Sequence, residues 1–175
     1  MTGRAFLFLL PLLLFCPAWL AAADYDHTID KGKISFAWRV DGEKLHIKLR
    51  AKTKGWVGIG FNPKDMMKGA NILIGRVKKG KASVRDDFGT GTKKHSSDRR
   101  KGGWANVSGV SGSEKGGYTE IRFSIPLDSG DKKDTVIHPE GETVVILAFG
   151  KSDSYRLGHK SSATLKVNLA TGSSH

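Results

Sequence analysis

Two adjacent methionines, one late histidine and a strand bare on one face are the residues of this sequence whose types and spacing could do chemistry. Residues 55–61 read Gly-Trp-Val-Gly-Ile-Gly-Phe. Side chains alternate along an extended strand, so Trp56, Gly58 and Gly60 share one face while Val57, Ile59 and Phe61 share the other. Two bare positions in succession let something flat approach the backbone; a close crossing by another strand, or a bulge, is the simpler account of the glycines taken alone. Met66 and Met67 lie between Lys64-Asp65 and Lys68, directly before an apolar run. Methionine is commonly adaptable core filler, but this setting is polar, and a thioether is a soft ligand for low-valent iron or Cu(I). His159 belongs to a glycine-flexed stretch, residues 153–162, and on its own reads as a surface residue, a turn residue or a ligand.

The elements that must position these groups are short and alternate with period two. Ile34, Phe36, Trp38 and Val40, then Leu45, Ile47 and Leu49, flank an Asp41-Gly42 turn and predict a β-hairpin with one buried face. Further strands are predicted at 55–61, 71–77, 82–88, 118–125, 144–149 and 163–169. The all-apolar run 144–149 reads as a strand covered on both sides. About eight such strands separated by Gly, Asp and Lys turns imply an all-β, antiparallel sandwich or barrel. Residues 89–103 and 126–142 read as long irregular loops, where function tends to sit. On the second strand Lys44, His46, Lys48, Arg50 and Lys52 form a ladder of positive charge, read either as an edge strand repelling other edges or as a docking face for an acidic partner.

The same segments resemble the DOMON family of extracytoplasmic modules. The resemblance covers residues 34–169 and rests on the 55–61 strand, on Met67-Lys68-Gly69-Ala70-Asn71 leading into an apolar strand, on residues 85–91 (Arg-Asp-Asp-Phe-Gly-Thr-Gly) and on His159. It implies an immunoglobulin-like β-sandwich, and, as in many members, a non-covalent haem b held between Met67 and His159, with Met66 as the alternate sulfur ligand. Met/His ligation favours ferrous iron and fills both axial positions, which suits electron transfer or redox sensing. Trp56, Gly58, Gly60 and Phe61 become candidates for the haem slot, with Trp56 and Phe61 equally readable as core. Arg156, beside the histidine, becomes a candidate propionate partner or a solvated loop charge. Other members of the wider group bind ligands without haem. A haem-free carbohydrate- or small-ligand-binding module is therefore the second expectation, with Trp38, Trp56 and Trp104 exposed as platforms. Copper held by Met66, Met67 and nearby histidines is a third.

Composition bounds these readings. Residues 1–23 have a short basic start, an apolar run and a closing Ala21-Ala22-Ala23, the layout of a cleaved signal peptide. The expected organisation is a signal peptide at 1–23, one domain at 24–170 and a disordered tail at 171–175. The protein is expected to be exported, to a periplasm or the extracellular space. Cys16, the one cysteine, falls in the leader, which excludes disulfides, covalent haem attachment and iron–sulfur clusters from the domain. Arg4 is the leader's one charge, so the formal +12 falls to about +11 without it. That balance favours an acidic redox partner protein or an anionic membrane surface; nucleic acid is disfavoured by export. The chain lacks a Gly-x-Ser-x-Gly elbow, a His-Glu-x-x-His helix and a Walker loop, and on that basis is expected not to be an enzyme.

Overall fold

The computed structural model describes residues 25–155 and 157–175; the expected signal peptide, Cys16 included, lies outside the described residues. The fold is an antiparallel β-sandwich of eleven described strands: β1 (His27–Lys31), β2 (Ile34–Asp41), β3 (Lys44–Ala51), β4 (Val57–Phe61), β5 (Asn71–Lys78), β6 (Lys81–Gly91), β7 (Lys94–Ser97), β8 (Ser108–Lys115), β9 (Tyr118–Pro126), β10 (Thr143–Phe149) and β11 (Ser161–Val167). One sheet runs β1-β2-β3-β9-β8 and the other β11-β10-β4-β5-β6-β7. Among the described residues no helix is long and apolar enough to cross a membrane.

Period-two alternation builds the core. Phe36 and Trp38 on β2, Leu45, Ile47 and Leu49 on β3, and Ile121 and Phe123 on β9 point inward from one sheet. Val57, Ile59, Phe61, Leu73, Val145, Leu147 and Phe149 meet them from the other. Phe36 and Trp38 stack at 4.5 Å, and the fully buried Trp38 indole N–H donates to the Leu169 carbonyl at 2.8 Å. Phe61, read from sequence as slot or core, is core: it is fully buried between the sheets.

The structure corrects three sequence expectations. The charged strand β3 is not an edge, because β2 and β9 pair with both its sides. The 89–103 stretch is not wholly irregular: it holds the end of β6, strand β7 and a 3-10 turn, Asp98–Lys101. Residues 171–175, expected to be disordered, fold back on β11, where Lys166 and His175 exchange two backbone hydrogen bonds at 3.1 Å.

Truncating a buried aromatic side chain costs about 3–5 kcal/mol. Phe61→Ala is therefore expected to lose about that much in urea denaturation. It should leave the chemistry of the opposite face of β4 intact.

Candidate functional site

The six-stranded sheet is apolar on its outer face as well as its inner one. Gly58 and Gly60 on β4 stand beside Ile72 and Ile74 on β5 and beside Ile146 and Ala148 on β10, in register across the three strands. These residues floor a cavity of about 630 Å³, within the size range of small-molecule and cofactor sites. Trp56 closes the floor at one end, packed in a separate apolar cluster with Ala70, Ile72, Ile74 and Met67. The glycines matter because a side chain would have to share space already taken. A Cβ on Gly60 would sit 2.9 Å from the Ile146 side chain, and one on Gly58 would sit 3.3 Å from the Leu73 carbonyl.

Two loops wall the cavity. The loop between β4 and β5 brings Met66 and Met67 to it. It is stapled to β6: Met67 N–H donates to Thr92 O (3.3 Å), Gly69 N–H to Gly89 O (2.8 Å) and Gly89 N–H to Ala70 O (3.0 Å). Gly89 has no room for a side chain because the Met67 carbonyl occupies that place. Met67 is half-buried against the Trp56 cluster, whereas Met66 has a positive φ of 51° and is 56% exposed. The loop between β10 and β11 brings Tyr155, Leu157 and His159 to the opposite wall. Its base is tied to β4 by Trp56 N–H to Ser152 O (3.2 Å) and Gly150 N–H to Trp56 O (2.9 Å). His159 itself is exposed. Arg156 lies outside the described residues.

The structure thus gathers Trp56, Gly58, Gly60, Met66, Met67 and His159 around one cavity and leaves Phe61 outside it. It adds a residue that the sequence analysis did not single out. His95 on β7 lines the same cavity, and its Nδ1 donates to the fully buried Asp87 carboxylate at 2.5 Å. Arg85 makes a two-pronged pair with the same carboxylate (2.6 and 2.5 Å). The Arg85 and Arg76 guanidinia lie 4.5 and 4.4 Å from the Tyr155 ring centre. Burial alone would raise the Asp87 carboxyl, but the hydrogen bonds from His95 and Arg85 outweigh it and hold the group below the usual carboxylate range. A carboxylate on one ring nitrogen fixes the tautomer and leaves the other nitrogen available. The signal for His95 was its register opposite Gly89, hidden because the polar run 92–97 shows no alternation of apolar residues.

The donor set suits a haem. The cavity offers the thioethers of Met66 and Met67 from one loop and the imidazole of His159 from the opposing one, with a second imidazole, His95, on β7, an aliphatic floor, and a glycine cradle where a flat group can lie on the backbone. Met66 and Leu157, two of the large apolar side chains left exposed, both stand at this cavity and would be covered by an apolar occupant. The sugar-platform arrangement is less well served: Trp38 and Trp56 are buried and of the three only Trp104 is exposed.

Residues 30–150 match the DOMON domain, and the chain belongs to that family. Its fold is similar to the cytochrome b domain of pyranose dehydrogenase from Coprinopsis cinerea, with a TM-score of 0.61, 14% identity, and 79% of this chain and 78% of that one covered. It is also similar to the cytochrome domain of Myriococcum thermophilum cellobiose dehydrogenase, with a TM-score of 0.58, 12% identity and 79% of each chain covered. In sequence it is 28% identical over 163 residues to DBH-like monooxygenase protein 1 of Mus musculus, covering 91% of this chain and 26% of that protein. With the Homo sapiens protein of the same name it shares 27% over 130 residues, 74% of this chain and 20% of the relative. The chain thus spans about a quarter or less of the curated relatives it matches. These relatives overturn the expectation that the protein is not an enzyme: they carry an enzyme's name. The missing hydrolase, protease and nucleotide-binding motifs had no bearing on oxidative chemistry.

Asp87 yields a test of the wall. A carboxyl held below its unfolded value contributes stability above that value, near pH 4, and the contribution is lost as pH falls through the folded value. Asp87→Asn should therefore be less stable at neutral pH, by about 2–4 kcal/mol for an uncompensated buried pair with one half-exposed partner. Urea midpoints measured from pH 7 to pH 2 should fall less steeply for the variant than for the unmodified protein.

Proposed function

We propose that this chain is an exported module that holds one haem b for electron transfer, with Met67 and His159 as axial ligands. The observation that carries the reading is the convergence of a thioether and an imidazole, from loops about ninety residues apart in sequence, on an apolar cavity floored by glycine and isoleucine. When bound, the haem supplies a one-electron couple, and Met/His ligation raises its potential relative to two nitrogen ligands. The protein's own part is positional. The stapled β4–β5 loop sets the sulfur, the Gly58–Gly60 strand gives the ring a seat, and the aliphatic floor keeps water from one face. Met67 is favoured over Met66 because its backbone is fixed to β6 and its side chain is half-buried.

The partner is proposed to be an acidic oxidoreductase domain. The reading is supported by relatives named for a monooxygenase and by structural neighbours named as cytochrome domains of dehydrogenases. The placement of exposed charge supports a docking side at the cavity rim. The ladder of Lys44, His46, Lys48, Arg50 and Lys52 lies on the outer face of the five-stranded sheet, the side of the sandwich away from the cavity, and Glu120, which also pairs with Arg122 of β9 (2.7 Å), sits 4.0 Å from its Arg50. Lys64, Lys68, Lys93 and Lys160 are exposed on the loops and strand ends around the cavity, so an acidic partner is better placed there.

A second reading has its own observation. His95 joins Met66, Met67 and His159 at the cavity, giving two thioethers and two imidazoles, a set that also suits copper.

Spectra of the purified protein with added haem decide between them. Haem b ligated as proposed gives a low-spin spectrum that sharpens on reduction, with a near-infrared sulfur-to-ferric-iron band. Met67→Ala should remove that band and lower the potential, His159→Ala should abolish the low-spin form, and Met66→Ala should leave both intact. Unchanged spectra in all three variants at full haem loading would refute the ligand assignment. No haem uptake together with stoichiometric copper binding would replace the reading with the second one.

A further inference from the structure

The outer face of the five-stranded sheet carries a charge pattern that the cavity does not use. Along β3 the outward positions are Lys44, His46, Lys48 and Arg50, and the alternation continues into the exposed Lys52. The neighbouring strands add Arg39 on β2, in register with His46, and Arg122 on β9, in register with Lys48. At about 3.3 Å per residue, the line from Lys44 to Lys52 runs about 27 Å. The outward carboxylates of the same strands are Asp30, Asp41 and Glu120. Arg39 pairs with Asp41 (3.3 Å) and Arg122 with Glu120 (2.7 Å). Among the described residues no carboxylate lies within ion-pair distance of Lys44, Lys48 or Lys52.

The fold gains little from this pattern. Lys48 stands directly opposite Arg122, and like charges opposed across a ladder are destabilising. A run of cations is useful on an edge strand, where it repels other edges, but β3 is the middle strand of five and is paired on both sides. Solubility is served by interspersed signs, whereas a single-sign field serves attraction. Aromatic rings also hold the cations in place. Lys48 Nζ lies 4.9 Å from the Tyr25 ring centre, and the Arg50 guanidinium 3.7 Å from that of Tyr118.

We propose that this face seats the protein on an anionic phospholipid surface, with the cavity turned away from the bilayer. Charge complementarity selects an anionic occupant. The lack of an apolar anchor selects a headgroup layer over a protein, because protein interfaces are built around a desolvated aromatic or aliphatic centre. Of the large apolar side chains left exposed, only Val110 belongs to this sheet, and it lies on the edge strand β8. A headgroup layer needs no pocket, and each Lys or Arg near it adds to the attraction. The cavity opens on the outer face of the other sheet, so seating the ladder on lipid leaves the cavity rim free for a soluble partner. Lipid seating does not depend on what fills the cavity.

The test sediments the purified protein with vesicles of phosphatidylcholine alone, and of phosphatidylcholine with roughly one third phosphatidylglycerol. Binding is expected on the anionic vesicles only, and it should vanish in about 1 M salt, where the screening length is about 3 Å. Lys44→Gln combined with Lys48→Gln should weaken vesicle binding about thirtyfold. Its urea midpoint should stay at or above the parent's, since repelling charges have been removed; Lys48→Gln with Lys52→Gln serves as the second variant should the first misfold. Lys64→Gln combined with Lys93→Gln takes the same charge from the cavity rim and should bind vesicles as the parent does. Absence of binding to the anionic vesicles at low salt, equal binding to the neutral ones, or an equal loss in the ladder and rim variants would overturn the proposal. So would ladder-dependent binding of soluble polyglutamate by a protein that ignores the vesicles, which would give the face to an acidic protein instead.

Discussion

The structure depends on one sheet that is apolar on both faces. The inner face of β10, β4 and β5 is bound into the core by Val145, Leu147, Val57, Ile59 and Leu73, while Ile146, Ala148, Ile72 and Ile74 present a second apolar layer to the outside. Among the described residues no third layer covers that outer face; Trp56, Met67 and Tyr155 pack against part of it, and leaving the rest bare would expose a hydrophobic patch to water. The fold answers with two loops that stand up from the sheet and leave a slot between them. Glycine at 58 and 60 keeps the middle of the slot at backbone level. The flat apolar cofactor proposed for the slot would complete the layer, with the two loops on either side of it.

How firmly the loops are placed differs. The methionine loop is stapled to β6 beside a β-bulge at Gly89 to Gly91, and Met67 is held by backbone hydrogen bonds on both sides. The histidine loop is anchored toward its two ends. At its start Gly150 and Ser152 pair with Trp56, and Arg76 donates to the Asp153 carbonyl at 2.8 Å. At its close Lys160 N–H donates to Phe149 O, the last residue of β10, at 2.7 Å. The wall between the loops is polar and centred on a buried carboxylate: Asp87 binds the half-buried His95 and Arg85, and Arg85 reaches Tyr155. At the core side of the same β6 strand Asp86 faces inward toward Asp98 and Asp134. Adjacent aspartates on one strand thus serve opposite faces, one organising the cavity wall and the other the loop cluster.

Period-two alternation made the inner strands legible in the sequence, because β2, β3, β4 and β9 carry large apolar residues at every second position. The Trp56-Gly58-Gly60 face was legible for the same reason, and the structure puts all three at the cavity. β8 was not legible: its Ser-Gly-Val-Ser-Gly-Ser-Glu-Lys run is almost wholly exposed and has no apolar face to read. β7 and His95 were missed because a short polar strand gains its identity from its partner's register, not from its own residues. Asp98 could not be recognised as buried from a run of Asp, Arg and Lys, since its burial comes from segments distant in sequence, β6 with Asp86 and the β9–β10 loop with Asp134. The tail was misread for a similar reason: its order comes from a backbone pairing with Lys166, to which small polar side chains contribute little.

The central claim is that the bare outer face of β4 is the seat of the haem. Ala148 lies in that floor, and Ala148→Phe fills the slot while leaving Met67, His159 and the core untouched. Titration of haem into the unmodified protein and the variant, followed in the Soret region beside far-ultraviolet circular dichroism, measures the claim directly. The account predicts saturation at one haem per chain for the unmodified protein and none for a variant with the same folded spectrum. A folded Ala148→Phe protein that takes up haem with the affinity and spectrum of its parent would contradict it.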